Sequence, residues 1–263
     1  MEKYFDDVHA ACEDELRGIR ESVPDSPEVV AAKGFASNYE GAVALGKALS
    51  AQLRYHEAAD AFSLALEYKP GELAALRLRA GRYLSSLQTE KAYADLNACL
   101  DLGADAVDIQ YRLGLCGYFV GRYAEAMRHF EAAFEPANDE MKIAAVFWHT
   151  LSAYRAHKTA ALLPRYCPGM NVGHHFAYEK AVAVWAGYVA VETALIELNR
   201  ELEDLHYVIE AYGLGLYLES VERCEEAAQV MRELLARDGF WPCYAYIAAW
   251  NDAYGKENTD VQP

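Results

Sequence analysis

The chain has 263 residues and a formal net charge of −16 at pH 7, and 53% of its residues are hydrophobic. This length is enough for one large domain or two small ones with a buried core. The charge disfavours binding to nucleic acid or to an anionic membrane, because both repel an acidic protein at long range. A basic or neutral partner is therefore the expectation.

The N-terminal sequence MEKYFDDVHAACEDELRG is acidic and has no apolar core, so it is unlike a signal peptide, and we expect a cytoplasmic protein. The longest strongly apolar run, from Ala181 to Val191, is too short to cross a bilayer and predicts a buried helix. The cysteines form no C-x-x-C pair and are predicted to be small buried side chains in a reducing compartment. They are Cys12, Cys99, Cys116, Cys167, Cys224 and Cys243.

Residues 1–38 are predicted to form a helical cap. An apolar stripe at helical spacing predicts the first helix, and it contains Tyr4, Phe5, Val8, Cys12, Leu16 and Ile19. Ser26 followed by Pro27 fits the N-cap and first turn of a second helix.

Residues 39–140 repeat with a period of 34 residues. When the sequence is shifted by one period, a small residue in the first predicted helix of each repeat aligns, and so does a small residue in the second helix. A large apolar residue comes one helical turn after the small residue of the second helix. We expect the small residues to let the two helices approach closely while the large residue fills the remaining gap. The aligned sets are Gly46, Ala80 and Gly114; Ala58, Ala92 and Ala126; Phe62, Leu96 and Phe130; and Ala65, Cys99 and Ala133.

This pattern resembles the tetratricopeptide repeat (TPR) family, whose motif is matched by Leu45, Gly46, Leu49, Ala58, Phe62, Ala65 and Pro70. The three repeats would span 39–72, 73–106 and 107–140. Residues 208–263 would hold a further repeat with Gly215, Ala227 and Met231, then a capping helix and a short tail. The resemblance implies an all-α fold, a right-handed superhelical stack of antiparallel helix pairs.

The pattern fails in residues 141–207, which we expect to hold degenerate helical repeats. Trp148 stands where a small residue is expected. A cluster of Pro and Gly predicts an irregular loop near 164–175. From Phe176 to His206 the pattern fits either one long helix or two helices with a break near Gly187.

The resemblance also implies a binding groove, because the first helix of each TPR pair lines the concave wall. The corresponding residues here are Val43, Lys47, Ser50, Arg77, Gly81, Leu84, Tyr111, Arg112, Leu115, Tyr118, Phe119, Tyr212, Leu216 and Glu219. Three aromatic side chains in the third repeat favour an apolar ligand, with Tyr118 as a hot spot. The alternative is that the degenerate section folds back and buries them as core. Only Arg112 fits the carboxylate clamp with which one TPR subclass grips chaperone tails.

Candidates for chemistry are few. Glu203, His206 and Glu210 form half of a carboxylate-bridged metal motif, but no second half is present, so a solvated acidic face is expected. Cys167, His174 and His175 share the irregular loop and could form a nucleophile pair or metal site, although a polar loop is expected. His149 and His157 could share a helix face. A basic island could contact another copy, and it consists of Arg155, Lys158, Arg165 and Lys180.

The common phosphate-binding, hydrolase and zinc-protease motifs are absent from the sequence, so we expect no catalysis and no cofactor. The sequence favours a non-catalytic interaction module that binds a peptide or protein segment. The alternatives are a self-assembling oligomeric scaffold and, last, a metal-dependent or loop-based enzyme.

Overall fold

The computed structural model describes residues 15–18 and 24–255, in which the regular elements are helices and no strand occurs. The α-helices are α1 (Pro27–Lys33), α2 (Tyr39–Ala51), α3 (Tyr55–Tyr68), α4 (Leu73–Ser85), α5 (Thr89–Asp101), α6 (Ala106–Phe119), α7 (Tyr123–Phe134), α8 (Asp139–Arg155), α9 (Phe176–Trp185), α10 (Val191–Leu198), α11 (Asp204–Ser220), α12 (Cys224–Leu235) and α13 (Tyr244–Tyr254). Short 3₁₀ segments occur at Leu163–Arg165, Gly173–His175 and Asp238–Phe240.

The chain divides into two compact units, residues 1–109 and 110–263, and the division falls within α6. In the first unit α1, α2, α3, α4 and α5 pack one on the next. In the second unit α7 packs on α8 and α8 on α9, while α11 packs on α9, α10, α12 and α13. Helices that are adjacent in sequence thus pack as neighbours, and the prediction of an all-α protein is confirmed.

The glycines of the repeat lie where two helices meet. A Cβ added at Gly114 would lie 2.5 Å from the ring of Phe130, and Gly46 faces Phe62 in the same way. Gly215 makes the equivalent contact with Met231. The predicted packing is therefore present at these three positions, where the absence of a side chain makes room for the large residue of the second helix.

The helices α2, α4, α6, α8, α9 and α11 all end in the same backbone turn. A residue with positive φ follows each helix, and the next N–H donates to a carbonyl five residues earlier, as in a Schellman motif. The positive-φ residues are Leu53, Leu87, Gly121, His157, Gly187 and Glu222. The bonds are Arg54 to Leu49, Gln88 to Tyr83, Arg122 to Gly117, Lys158 to Ala153, Tyr188 to Ala183 and Arg223 to Leu218. The turn thus recurs in residues 141–207, where the sequence motif is lost.

Residues 156–175 contain only the two 3₁₀ segments, so the predicted loop is present and no α-helix follows α8 as a partner before α9. The break near Gly187 is also present, because α9 ends at Trp185 and α10 begins at Val191. The prediction of one buried helix over 181–191 is wrong, since Gly187 adopts φ 76° and turns the chain.

The N-terminal cap of α1 is confirmed, because the Ser26 side chain accepts a hydrogen bond from the Val29 N–H. Leu16 is buried within a short helical turn. The other residues of the predicted first helix, Tyr4, Phe5, Val8, Cys12 and Ile19, lie outside the described residues.

Cys99, Cys116 and Cys243 are buried, as predicted. Cys167 and Cys224 are exposed, so the prediction is wrong for them. Cys167 belongs to the loop after α8, and Cys224 is the first residue of α12. None of the described helices is long and apolar enough to cross a membrane.

Candidate functional site

Apart from Val43, the apolar side chains of the predicted groove are buried. Leu84, Leu115 and Tyr212 have no exposed surface, and Tyr118, Phe119 and Tyr111 are 4%, 7% and 8% exposed. A ligand on the surface of the folded chain cannot reach side chains with so little exposed area. Their burial favours the alternative that they belong to the core.

Trp148 explains the burial of Tyr118. The two rings pack edge to face with centroids 5.0 Å apart, and the ring of Tyr212 lies 6.4 Å from that of Tyr118 and 6.0 Å from that of Trp148. Trp148 itself is fully buried. Trp148, which stands where the repeat pattern has a small residue, is therefore part of an aromatic core shared by α6, α8 and α11.

A chain of polar contacts leads outward from this core. The hydroxyls of Tyr118 and Tyr212 are 2.8 Å apart, and Tyr212 donates to Oδ2 of Asp252 at 2.8 Å. Arg155 donates to the same oxygen from Nη2 at 2.6 Å. Burial, with Asp252 adding to it, raises the pKa of both tyrosines far above the ordinary value. Both phenols therefore stay protonated, and the polar chain connects α6, α8, α11 and α13.

This arrangement predicts that Tyr118 contributes to stability. Tyr118→Phe keeps the ring and should lower the free energy of unfolding by about 1 kcal/mol through loss of the hydrogen bond. Tyr118→Ala should lower it by about 4 kcal/mol, because a core ring is removed as well. Urea denaturation followed by circular dichroism measures both values. Tyr188→Phe is the control, since Tyr188 is 59% exposed. Unchanged unfolding of Tyr118→Ala would mean that the ring is not core.

Three partly buried aromatic side chains, Tyr154, Trp185 and Tyr217, form a row near the C-terminal ends of α8, α9 and α11. The Trp185 ring centroid lies 5.7 Å from that of Tyr154 and 5.4 Å from that of Tyr217. Trp185 Nε1 donates to the carbonyl of Gly213 at 2.9 Å, which fixes the indole against α11. We call these three residues the aromatic row.

Glu219 lies on α11 two residues after Tyr217 of the aromatic row. Burial and then the Glu219 carboxylate raise the pKa of the Tyr154 phenol, which indicates that the two groups are close. Burial raises the pKa of the Glu219 carboxyl, while nearby Arg155 lowers it. The row also lies near three helix C-termini, which carry partial negative charge. The arrangement offers aromatic faces, a partly buried carboxylate and helix ends of negative potential.

Gly81 is buried, and the remaining groove residues lie on or near the surface. Lys47 is exposed, whereas Val43, Ser50, Arg77 and Arg112 are partly buried. The Ser50 hydroxyl donates to the Gly46 carbonyl of its own helix at 2.7 Å. Arg77 pairs with Asp108 at 2.8 Å. Ser50 and Arg77 are therefore engaged within the chain.

Of the residues considered for a metal site at α11, Glu203 and His206 line one surface depression, whereas Glu210 lies in the core. Glu210 is fully buried and its Oε2 lies 3.2 Å from Nζ of Lys180, so the prediction of a solvated face is wrong there. Burial raises the pKa of Glu210, and Lys180 opposes that shift. His206 packs on Phe176, with ring centroids 4.3 Å apart. Within the described residues no group of three or more metal-ligating side chains occurs.

The histidines have structural contacts. His175 Nδ1 donates to the main-chain oxygen of Glu140 at 2.6 Å, which ties the loop to the start of α8. Buried His149 contacts Glu131 Oε1 through Nε2 at 3.1 Å, and burial lowers its pKa. His157 does not share its helix face, because α8 ends at Arg155. The possible pairing of His149 and His157 is therefore wrong.

Most of the basic island is paired within the chain. Arg155 binds Asp252, Arg165 binds Glu135 at 3.0 Å, and Lys180 binds Glu210. These contacts leave the island less able to meet an acidic surface of another copy. The sequence analysis identified Glu219 as a groove residue but did not identify the aromatic row. Tyr154 precedes the positive-φ residue His157 by three positions, as Tyr118 precedes Gly121 and Glu219 precedes Glu222. That shared position relative to the turn is a signal that could have identified Tyr154.

No protein-family model matches the chain, and no curated protein matches it.

Proposed function

We propose that the chain is a non-catalytic interaction module of the tetratricopeptide kind, located in the cytoplasm, that binds a peptide or protein segment. The aromatic row is the observation that carries the proposal. The period of 34 residues, the glycine contacts with Phe62 and Phe130, and the recurring helix-end turn support the family assignment. The ligand surface proposed here is the aromatic row, in place of the buried tyrosines.

The chemistry of the aromatic row suits protein binding. Tyr and Trp offer large contact areas with few rotatable bonds, and they are common at interface hot spots. The hydrogen bond from Trp185 to Gly213 and the ring contacts within the row hold these side chains in place. A ligand that packs on them therefore loses little free energy to ordering the protein side.

Exposed apolar side chains favour self-assembly as a second candidate function. Leu202 is 87% exposed and Phe240 is 47% exposed, and both line a surface depression with Leu205 and His206. A second copy could cover these side chains. Light scattering over a range of protein concentrations would detect the assembly, and a constant monomer mass would rule it out.

Peptide display tests the proposed function. A library of random peptides is selected on the wild-type chain, and the enriched peptides are measured against a Trp185→Ala, Tyr217→Ala double variant. We expect the variant to lose at least about tenfold in affinity, because two hot-spot side chains are removed. Tyr188→Ala is the matched control, since it removes an exposed aromatic ring from the same unit.

Two results would contradict the proposal. One is a selection that enriches no peptide on the wild-type chain. The other is a set of peptides that bind wild type and the folded double variant equally. Circular dichroism of each variant establishes that its helices are intact before affinities are compared.

A further inference from the structure

We infer that the aromatic row and Glu219 bind a cationic side chain, above all the guanidinium of an arginine in a basic segment. The inference rests on the proposed function and adds the chemical class of the ligand. Two observations support it. The charge around the row is negative, and among the residues that the structure describes, lysine or arginine side chains lie over several other aromatic rings but not over the row.

The charge balance at the row is negative. Arg155 pairs with Asp252 at 2.6 Å and also interacts with Glu219, so one cation faces two carboxylates beside Tyr154. The C-terminal ends of α8, α9 and α11 add partial negative charge at the same place. The whole chain carries a net charge of −16, which attracts a basic segment at long range.

Elsewhere the chain places its own cations over aromatic rings. The pairs are Lys69 on Tyr39, Arg79 and Lys91 on Tyr83, Arg82 on Tyr55, Lys142 and Arg165 on Phe134, Lys180 on Phe176 and Arg237 on Tyr207, at 3.7 to 5.8 Å from the ring centroids. In the described part of the chain no lysine or arginine lies over Tyr154, Trp185 or Tyr217 in this way. The row is therefore a set of partly buried rings, beside a carboxylate, over which no cation lies within the described residues.

Arginine fits these groups better than lysine. Its planar guanidinium stacks on an aromatic face and donates two parallel hydrogen bonds to a carboxylate. A cation over tryptophan gains more than one over tyrosine or phenylalanine. An arginine of the ligand could stack on the Trp185 ring and donate hydrogen bonds to the Glu219 carboxylate at the same time.

A hexa-arginine peptide is the probe. Of the chain's four tryptophans, Trp148, Trp241 and Trp250 are buried, so a change in tryptophan fluorescence on titration reports mainly on Trp185. We expect a saturable change whose Kd rises about tenfold in Glu219→Gln, in line with loss of a charge-assisted contact. Glu219→Asp keeps the charge and should stay within about threefold of wild type. Glu67→Gln is the matched control, because it removes one exposed carboxylate from the other compact unit.

The outcomes separate this inference from the proposed function. Equal binding of hexa-arginine to wild type, Glu219→Gln and Glu67→Gln would overturn the cation site, because only the net charge would then attract the peptide. Displayed peptides that bind at the row but lack arginine and lysine would also overturn it, while the proposed function would stand. If no peptide of any composition binds, the proposed function fails as well.

Discussion

Gly114→Ala should lower the free energy of unfolding by about 2 kcal/mol, although alanine is the better helix former by about 1 kcal/mol. The added Cβ would lie 2.5 Å from the Phe130 ring, closer than non-bonded carbon atoms approach. Phe130 is fully buried, so its ring can move only by displacing its neighbours. Urea denaturation followed by circular dichroism measures the loss.

A second substitution tests the reason for this loss. The second repeat carries Ala80 and Leu96 where the third carries Gly114 and Phe130. The double variant Gly114→Ala, Phe130→Leu should therefore lose less unfolding free energy than the two single variants lose together, by about 1 kcal/mol or more. Met231→Leu is the control, because Met231 packs on Gly215, and its effect should add to that of Gly114→Ala. If the effects of Gly114→Ala and Phe130→Leu simply add, the loss does not come from a clash between the added Cβ and the Phe130 ring.

Lys180→Met should lower the free energy of unfolding by about 3 kcal/mol at neutral pH, because it leaves the buried Glu210 carboxylate without its partner. Glu210 has no exposed surface, and Lys180 Nζ lies 3.2 Å from its Oε2. Burial already raises the pKa of Glu210, and removal of Lys180 should raise it further. Protonation removes the buried charge, so the loss should shrink as the pH falls toward about 5.

The double variant Lys180→Met, Glu210→Leu tests the same pair without leaving a charge behind. Replacing both members of a buried ion pair by apolar residues is often neutral or stabilising, so this variant should unfold within about 1 kcal/mol of wild type. Urea denaturation at neutral and acidic pH compares the two variants. A Lys180→Met variant whose loss does not depend on pH would contradict the assignment to Glu210.

The sequence predicts contacts within a helix pair well, because they depend on local spacing. Gly46 and Phe62 are 16 residues apart in two helices joined by a short turn, and their contact was expected from the period alone. The hydrogen bond from Asn251 to the Phe119 carbonyl joins residues separated by 132 positions. Tyr118 and Tyr212 are separated by 94. No local pattern specifies which distant helices meet.

For the candidate site, too, the sequence does not specify which distant helices meet. The family resemblance identifies positions that face inward from a first helix, and Tyr118 and Glu219 both occupy such a position. It does not tell whether another helix covers that position. Trp148 covers Tyr118, whereas Glu219 stays partly exposed beside the aromatic row. The difference depends on residues 141–207, where the repeat motif is absent.

The recurring helix-end turn has a consequence for how such a chain can change over evolutionary time. Leu53, Leu87 and Gly121 lie one period apart, and the turn recurs at His157, Gly187 and Glu222 after intervals of varying length. The backbone is thus nearly the same at each of these points, whatever side chain stands there. A gene duplication or deletion with both junctions at such turns would leave every remaining helix with an intact end. These turns are therefore suitable junctions for recombination. Residues 156–175 hold no α-helix, so the interval between two such turns need not contain a helix pair.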